Sequence, residues 1–286
     1  MPGSKTRSSL AAGAAGALLA LAVGVALAFL AIPLVALFTE VSLTQVPDLL
    51  GDPAVRDAIA VTARTNAIAN VLIVAFGTPT AWVLATRRFP GRSVVVTLTE
   101  LPLVLPPAVA GIALLAAFGA GGLLGPSLAD AGIALPFTEW AVVLAIVFVA
   151  SPFYLRQAIA AFESVDPGLV DTARTLGAGP PRRFARIVLP LAAGGLVAGW
   201  VLAFARGIGE FGATIIFAGN VRGETQTMTL AIYEQLDTSF DVAIALAILM
   251  VVLSAGVLLA YKLIVSWRRS ISSSTSRFAP SPSTSA

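Results

Sequence analysis

The sequence predicts an all-α, polytopic membrane protein of about six transmembrane helices, and three observations carry that prediction. The 286-residue chain is 57% hydrophobic and 12% charged, with a mean hydropathy of +0.91. A water-soluble domain is about one-quarter charged, so most of this surface cannot face water. The apolar residues also come in runs; residues 8–39 hold no charge at all, and a helix needs about 20 apolar residues to cross hydrocarbon. Thirdly, the basic residues gather between alternate runs, as the orientation rule for membrane helices requires.

Six spans follow in order: 10–38, 65–85, 101–118, 136–155, 187–205 and 242–261. The first follows Lys5 and Arg7 like a signal peptide, but its apolar run is about twice a signal core, which favours a retained helix. The third contains Pro102, Pro106 and Pro107, which predict a kink where neighbours or water must satisfy freed carbonyls. With the N-terminus placed in the cytoplasm, fourteen of the eighteen basic residues fall on that side. They are Lys5 and Arg7; Arg87, Arg88 and Arg92; Arg156, Arg174, Arg182, Arg183 and Arg186; Lys262, Arg268, Arg269 and Arg277. Glu40, Asp48, Asp52, Asp57, Asp130 and Glu139 fall on the other. Both termini are therefore expected in the cytoplasm of a multi-pass protein of the cell membrane. One membrane domain is expected over 10–269, after a cytoplasmic segment 1–9 and before a Ser-, Thr- and Pro-rich tail, 270–286, that reads as disordered.

Several classes of function are excluded. The chain has no Cys and no His, which removes disulfide frameworks, the usual zinc sites and His-based acid–base chemistry. No metal site or catalytic residue is expected. The net charge of +3 sits at helix ends, so lipid, not nucleic acid, is its counterpart. Gly125-Pro-Ser-Leu-Ala129 lacks the last glycine of a nucleophile elbow. A secondary transporter would carry ionisable coupling groups within its spans, and these spans are nearly free of them.

The loop between the fourth and fifth spans, 163–190, is the most structured part outside the membrane. Asp166 suits an N-cap, Pro167 the first helical position, and Gly177 the left-handed residue past the end. The intervening helix places Leu169, Val170, Ala173 and Leu176 on one face, with Asp171, Arg174 and Thr175 on another. On pattern alone it is a helix for docking a partner, a helix lying on the lipid surface, or an ordinary connection.

The loop resembles the cytoplasmic signature of ABC importer permeases: Glu-Ala-Ala, three residues, Gly, nine residues, Ile, one residue, Leu-Pro. Asp171-Thr172-Ala173 stand at the triplet, Gly177 at the glycine, Ile187 at the isoleucine and Leu189-Pro190 at the end. Asp for Glu keeps the charge, and Thr for Ala stays small. The resemblance implies that this loop couples to a separate ATPase subunit, and the chain itself has no Gly-x-x-x-x-Gly-Lys-Ser/Thr loop. It further implies the ABC importer permease fold, a permease homodimer with two ATPase copies that hold ATP and magnesium, and no cofactor in this chain. ATP would close the ATPases and open the path outward, and hydrolysis would restore the inward-facing state. Residues 103–119, 209–220 and 223–233 resemble molybdate permeases, with sulfate, thiosulfate and tungstate permeases close by. The resemblance thus implies a channel-forming subunit that receives molybdate from an extracytoplasmic binding protein.

Gate candidates are Pro106, Pro107 and Gly111 in the third span, with Gly209 and Gly212 after the fifth; helix packing explains small residues equally well. Arg64 and Arg206 are the only cations expected near the pathway. Glu210, one turn past Arg206, makes either a local helix pair or part of a gate.

Overall fold

Hydrocarbon offers a backbone amide no partner, so each apolar run must close its own hydrogen bonds. The computed structural model describes the backbone of residues 3–275 and the side chains of 16–263. Residues 1–2 and 276–286 lie outside the described residues, and with them the first residues of segment 1–9 and most of the expected tail. The chain forms helices α1 (Gly3–Glu40), α2 (Val46–Leu49), α3 (Pro53–Thr86), α4 (Arg92–Val104), α5 (Pro107–Phe118), α6 (Gly125–Asp130) and α7 (Glu139–Glu163). There follow α8 (Pro167–Thr175), α9 (Pro180–Arg183), a π turn (Phe184–Val188), α10 (Leu189–Ile208), α11 (Gly212–Phe217), α12 (Met228–Thr238) and α13 (Phe240–Thr275). No strand occurs among the described residues.

Five stretches are long and apolar enough to cross a membrane: Gly16–Glu40, Pro53–Thr86, Glu139–Glu163, Pro180–Ile208 and Phe240–Leu263. α4 and α5 pass the same test only taken together, as a pair that meets at a bend of 118°. The kink expected from the prolines is therefore a break: Leu105 and Pro106 are extended, and Pro107 opens the next helix. Helices outrun the expected limits at several spans: α4 begins at Arg92 rather than 101 and α13 runs to Thr275 rather than 261, into the expected tail, and two further cases have a clear local cause. α3 begins at Pro53 rather than near residue 65, because Asp52 Oδ1 accepts a 2.7 Å bond from Ala54 N and Pro53 takes the first turn. α7 continues to Glu163 rather than stopping at Leu155, since Ala158, Ile159, Ala161 and Phe162 still bury themselves in the bundle.

α7 is the central helix, flanked by α3 and α10. Arg64, a third of the way along α3, pairs with Glu139 at the start of α7. Further along, Thr78 Oγ1 meets Tyr154 Oη at 2.6 Å, and Arg92, just past α3, meets Glu163 at 2.6 Å. The two helices therefore run parallel. α10 runs antiparallel to both, with Gly195 against Ala161, Gly199 against Tyr154 and Gly207 against Ile146. Parallel α3 and α7 require one net crossing between them, and α4, α5 and residues 119–138 supply it. One end of the bundle is thus acidic, around Glu139, and the other basic, around Arg87 and Arg88.

Glycine sets the spacing. A Cβ on Gly77 would lie 2.8 Å from Tyr154 Cδ1, and one on Gly199 would lie 3.1 Å from the Tyr154 carbonyl oxygen and 3.3 Å from its Cα. At the basic end Trp82 packs edge-on against Phe162 and Phe184, with ring centres 5.4 and 5.2 Å apart, tying α3, α7 and the π turn together. α1 differs: residues 16–35 are exposed throughout, and only its acidic end, through Leu37 and Phe38, joins Val41, Ile244 and Ile248.

Because backbone faces Gly199, Gly199→Val has nowhere to relax. We expect a loss of about 1–3 kcal/mol, the usual cost of overpacking, read as a lower thermal midpoint of the detergent-solubilised protein. Gly256→Val, in open space on α13, should stay within about 0.5 kcal/mol; equal losses would remove the packing argument.

Candidate functional site

At the basic end, α8 forms as its sequence demands. Asp166 Oδ1 accepts a 2.8 Å bond from Gly168 N, and Pro167 occupies the first turn. At the other end Ala178 N bonds Ala173 O at 3.0 Å and Gly177 N bonds Arg174 O at 3.1 Å, the two bonds of a Schellman cap. Gly177 has φ +80°, as the sequence led us to expect, and nothing lies within 4 Å of where its Cβ would stand. Asp171 and Thr172 face outward; Arg174 Nη1 is 3.9 Å from Asp171 Oδ1. The apolar stripe divides: Ala173 is buried and Val170 half-buried against this chain, whereas Leu169 is 49% and Leu176 81% exposed. A cavity of about 340 Å³ separates α8 from the bundle, with Trp82, Arg88, Phe162, Val170 and Asp171 in its walls.

Ile187, Leu189 and Pro190 form the junction of the π turn with α10. Proline has no N–H, and its ring clashes with the carbonyl four residues back. The chain widens by one residue just before Pro190, with Leu189 N bonding Phe184 O, the usual form of a π bulge. Val188 is buried at 1% exposure, and Phe184 holds the aromatic cluster. The signature's Leu-Pro thus marks where the loop is clamped to the bundle.

Nearer the acidic end, the gate candidates divide into those that meet and one that does not. α5 lies against α11: Gly212 leaves no room for a Cβ beside Pro107, and a Cβ on Gly111 would be 2.8 Å from Ile216 Cβ and 3.0 Å from Ala213 O. Pro106 caps this contact by accepting from Ala110 N. Gly209 stays open; no atom lies closer than 3.9 Å to its Cβ position. Glu210 sits in the break between α10 and α11 with its side chain 1% exposed. Its Oε1 accepts from Ala213 N at 2.8 Å, opening α11, and its carbonyl accepts from Thr229 Oγ1 at 2.7 Å, holding α12. Arg206 Nη2 lies 2.6 Å from Oε2, an ion pair without hydrogen-bond geometry. The pair is local in sequence, but it spans a helix end and ties three elements.

The sequence reading overlooked several polar groups here. Thr62 Oγ1 accepts from Met228 N at 2.8 Å, which seats α12 on α3. Asn70 Nδ2 bonds Asn66 O at 2.8 Å, and Asn66 Nδ2 bonds Phe204 O at 3.4 Å. Asn220 and Gln226 both donate to Glu234 Oε2, at 2.8 and 2.6 Å, closing the loop before α12. Asn66 and Asn70 were visible as polar residues one turn apart in an apolar run; the others depend on tertiary contact. Arg156, assigned by the sequence to the loop after the fourth span, lies within α7, seven residues before its end.

Residues 73–270 match the family described as the inner membrane component of binding-protein-dependent transport systems. The molybdenum transport system permease protein ModB of Mycobacterium tuberculosis is 45% identical over 81% of this chain and 88% of its own. The sulfate transport system permease protein CysT of Escherichia coli is 36% identical over 82% of this chain and 85% of its own. A bacterial alginate ABC transporter, solved in complex with an alginate pentasaccharide-bound periplasmic protein, contains a chain of the same fold. It superimposes with a TM-score of 0.72 at 17% identity, covering 89% of this chain and 94% of that one. The chain, a multi-pass membrane protein, therefore belongs to the family of inner membrane components of binding-protein-dependent transport systems.

Proposed function

We propose that this chain is the permease subunit of an ATP-driven molybdate importer of the cell membrane. The observation that carries this reading is the 45% identity to a molybdenum permease over 81% of the chain, against 36% for a sulfate permease over a similar length. In this reading the basic end faces the cytoplasm, as the thirteen-to-four division of Lys and Arg in the sequence favours once Arg156, which lies within α7, is left out. A separate ATPase, two copies per permease homodimer, binds ATP and magnesium and docks on α8. An extracytoplasmic protein delivers molybdate at the acidic end. The unaccompanied apolar length of α1 is a surface that a second permease copy would cover.

The chemistry of each end fits its part. At α8, Leu169, Leu176 and the bare Cα of Gly177 form an exposed apolar tip beside Asp171. Trp82, Phe162 and Phe184 link the base of this loop to α3 and α7, so a push on α8 reaches the spanning helices. At the other end the contact of Pro107 and Gly111 with α11 closes the path, and Glu210 holds that closure to α10 and α12. Movement of α8 would be felt there through α7 and α10, which run between the two ends as rigid rods.

Vesicles holding permease, ATPase and binding protein should take up molybdate only with ATP inside the compartment that houses the ATPase. Molybdate should outcompete sulfate at equal concentration. Equal or better sulfate uptake would move the assignment to a sulfate permease and leave the importer intact.

Gly177→Glu places a Cβ at positive φ, at a cost of about 1 kcal/mol or more, and puts a charge on the exposed tip. The protein should still insert in the membrane, but the ATPase should no longer co-purify with it and uptake should be lost. Asp171→Ala should act in the same direction more mildly. Full ATPase retention with normal transport by Gly177→Glu would remove α8 as the docking element.

A further inference from the structure

Arg156 and Glu100 carry the second inference. Their side chains are 71% and 43% exposed, and Arg156 Nε lies 3.9 Å from Glu100 Oε1 with no hydrogen bond between them. α7 has 25 residues and spans about 37 Å, with a paired glutamate at each end. Arg156 stands seven residues before Glu163, about 10 Å inside the basic end. A hydrocarbon layer of about 30 Å centred on α7 includes that level. α7 runs from the acidic to the basic end, so its Cα–Cβ bonds tilt toward the acidic end. Arg156 thus leaves the backbone toward the membrane centre, away from the nearer headgroups, and its neighbour at this depth is a second charge. Two ionisable groups at membrane depth belong on a wet or protein-covered face, not on lipid.

The burial of one stripe of α7 indicates which. Residues 142, 145, 149, 153, 156 and 160 recur every three or four positions along one side. Val142, Ala145 and Val149 are buried, at 0%, 0% and 5% exposure, in one core cluster with Ala110 and Leu114 of α5 and Ala213 and Phe217 of α11. Phe153 is half-buried, and Arg156 and Ala160 are exposed. The stripe therefore passes from beneath the α5–α11 contact onto an open surface toward the basic end.

We propose that this open half of the stripe lines the anion path on the cytoplasmic side of the α5–α11 closure, and that Arg156 is the cation a tetrahedral oxyanion meets there. A guanidinium offers a fork of donors that suits two oxyanion oxygens at once. Glu100 is its counter-charge when the path is empty. The looseness of the pair is what the task requires: an arriving dianion can displace the carboxylate, and the carboxylate then repels the anion and promotes its release. Arg92–Glu163, hydrogen-bonded at 2.6 Å, has no such slack. This proposal rests on the reading of the chain as an oxyanion importer.

The test uses the complete complex and the natural absence of cysteine. In vesicles exposing the cytoplasmic face, Ala160→Cys should react with an anionic methanethiosulfonate, and molybdate should slow the reaction. Val71→Cys, exposed on an uncharged part of α3, should react only with a membrane-dissolved maleimide. Arg156→Gln should lower molybdate uptake by the assembled complex roughly tenfold or more, the loss of a charge-assisted bond; Arg156→Lys should recover much of it. An Ala160→Cys that reacts only from within lipid, or an Arg156→Gln that transports normally, overturns the proposal. If Arg156→Gln fails to assemble, the labelling of Ala160→Cys and the transport by Arg156→Lys decide. If the unaltered complex carries sulfate but not molybdate, and sulfate uptake shows the same Arg156 dependence, the substrate assignment fails and this site stands.

Discussion

In an apolar solvent every break in a helix has to be met from within the protein, and that constraint organises the whole chain. The breaks are few, and each has its own compensation. At Leu105 and Pro106 the next helix starts at once, the carbonyl of Pro106 taking Ala110 N as its first bond. Between α10 and α11 the first free amide of the new helix goes to Glu210 Oε1, and the carbonyl of Glu210 goes to Thr229. Ahead of Pro190 the helix widens by one residue instead of breaking. A helix that merely spans needs none of these devices. These devices lie where α5 meets α11 and where α8 joins the bundle, the two places at which the proposed reading puts the closure and the docking element.

The rigid part is correspondingly plain. α3, α7 and α10 approach through Gly77, Gly195, Gly199 and Gly207, and Thr78–Tyr154 and Asn66–Phe204 add hydrogen bonds across the helices. Membrane helices gain little from expelling lipid, so close contact and such bonds have to hold them. α1, whose described side chains meet the bundle near Leu37 and Phe38, has neither among residues 16–35.

Much of this was legible in the sequence, for a physical reason. Charge-free runs have one solution in hydrocarbon, so the spans could be read, and Asp166, Pro167 and Gly177 each act through local backbone geometry that a sequence displays. The sense of the third span was visible in its prolines, but not the 118° bend, which depends on what α5 finds to pack against. Span limits were misjudged wherever a charge was taken as an end. Arg56, Asp57 and Arg64 lie inside α3 and Arg156 inside α7, because capping and burial set a helix end more strongly than a single ionised group. Glu210 was noticed as one half of a pair; its hold on α11 and α12 joins residues that only the fold brings together.

The same misjudgement bears on how an anion crosses such a protein. With cations only near the acidic end, a dianion would have to cross the remaining depth unaided. Gly207 stands level with Ile146, so Arg206 lies ten residues of α7 away from the level of Arg156, about 15 Å along its axis. Both arginines have a carboxylate within 4 Å, yet the two pairs differ. Glu210 is buried and bound to the backbone of α11, so its charge is fixed in place. Glu100 is exposed and makes no hydrogen bond to Arg156. A fixed pair presents nearly zero net charge to an anion and suits a closure, whereas a loose pair presents a cation as soon as the carboxylate swings aside. In the proposed reading, the tight pair belongs to the structure of the barrier and the loose one to the traffic past it.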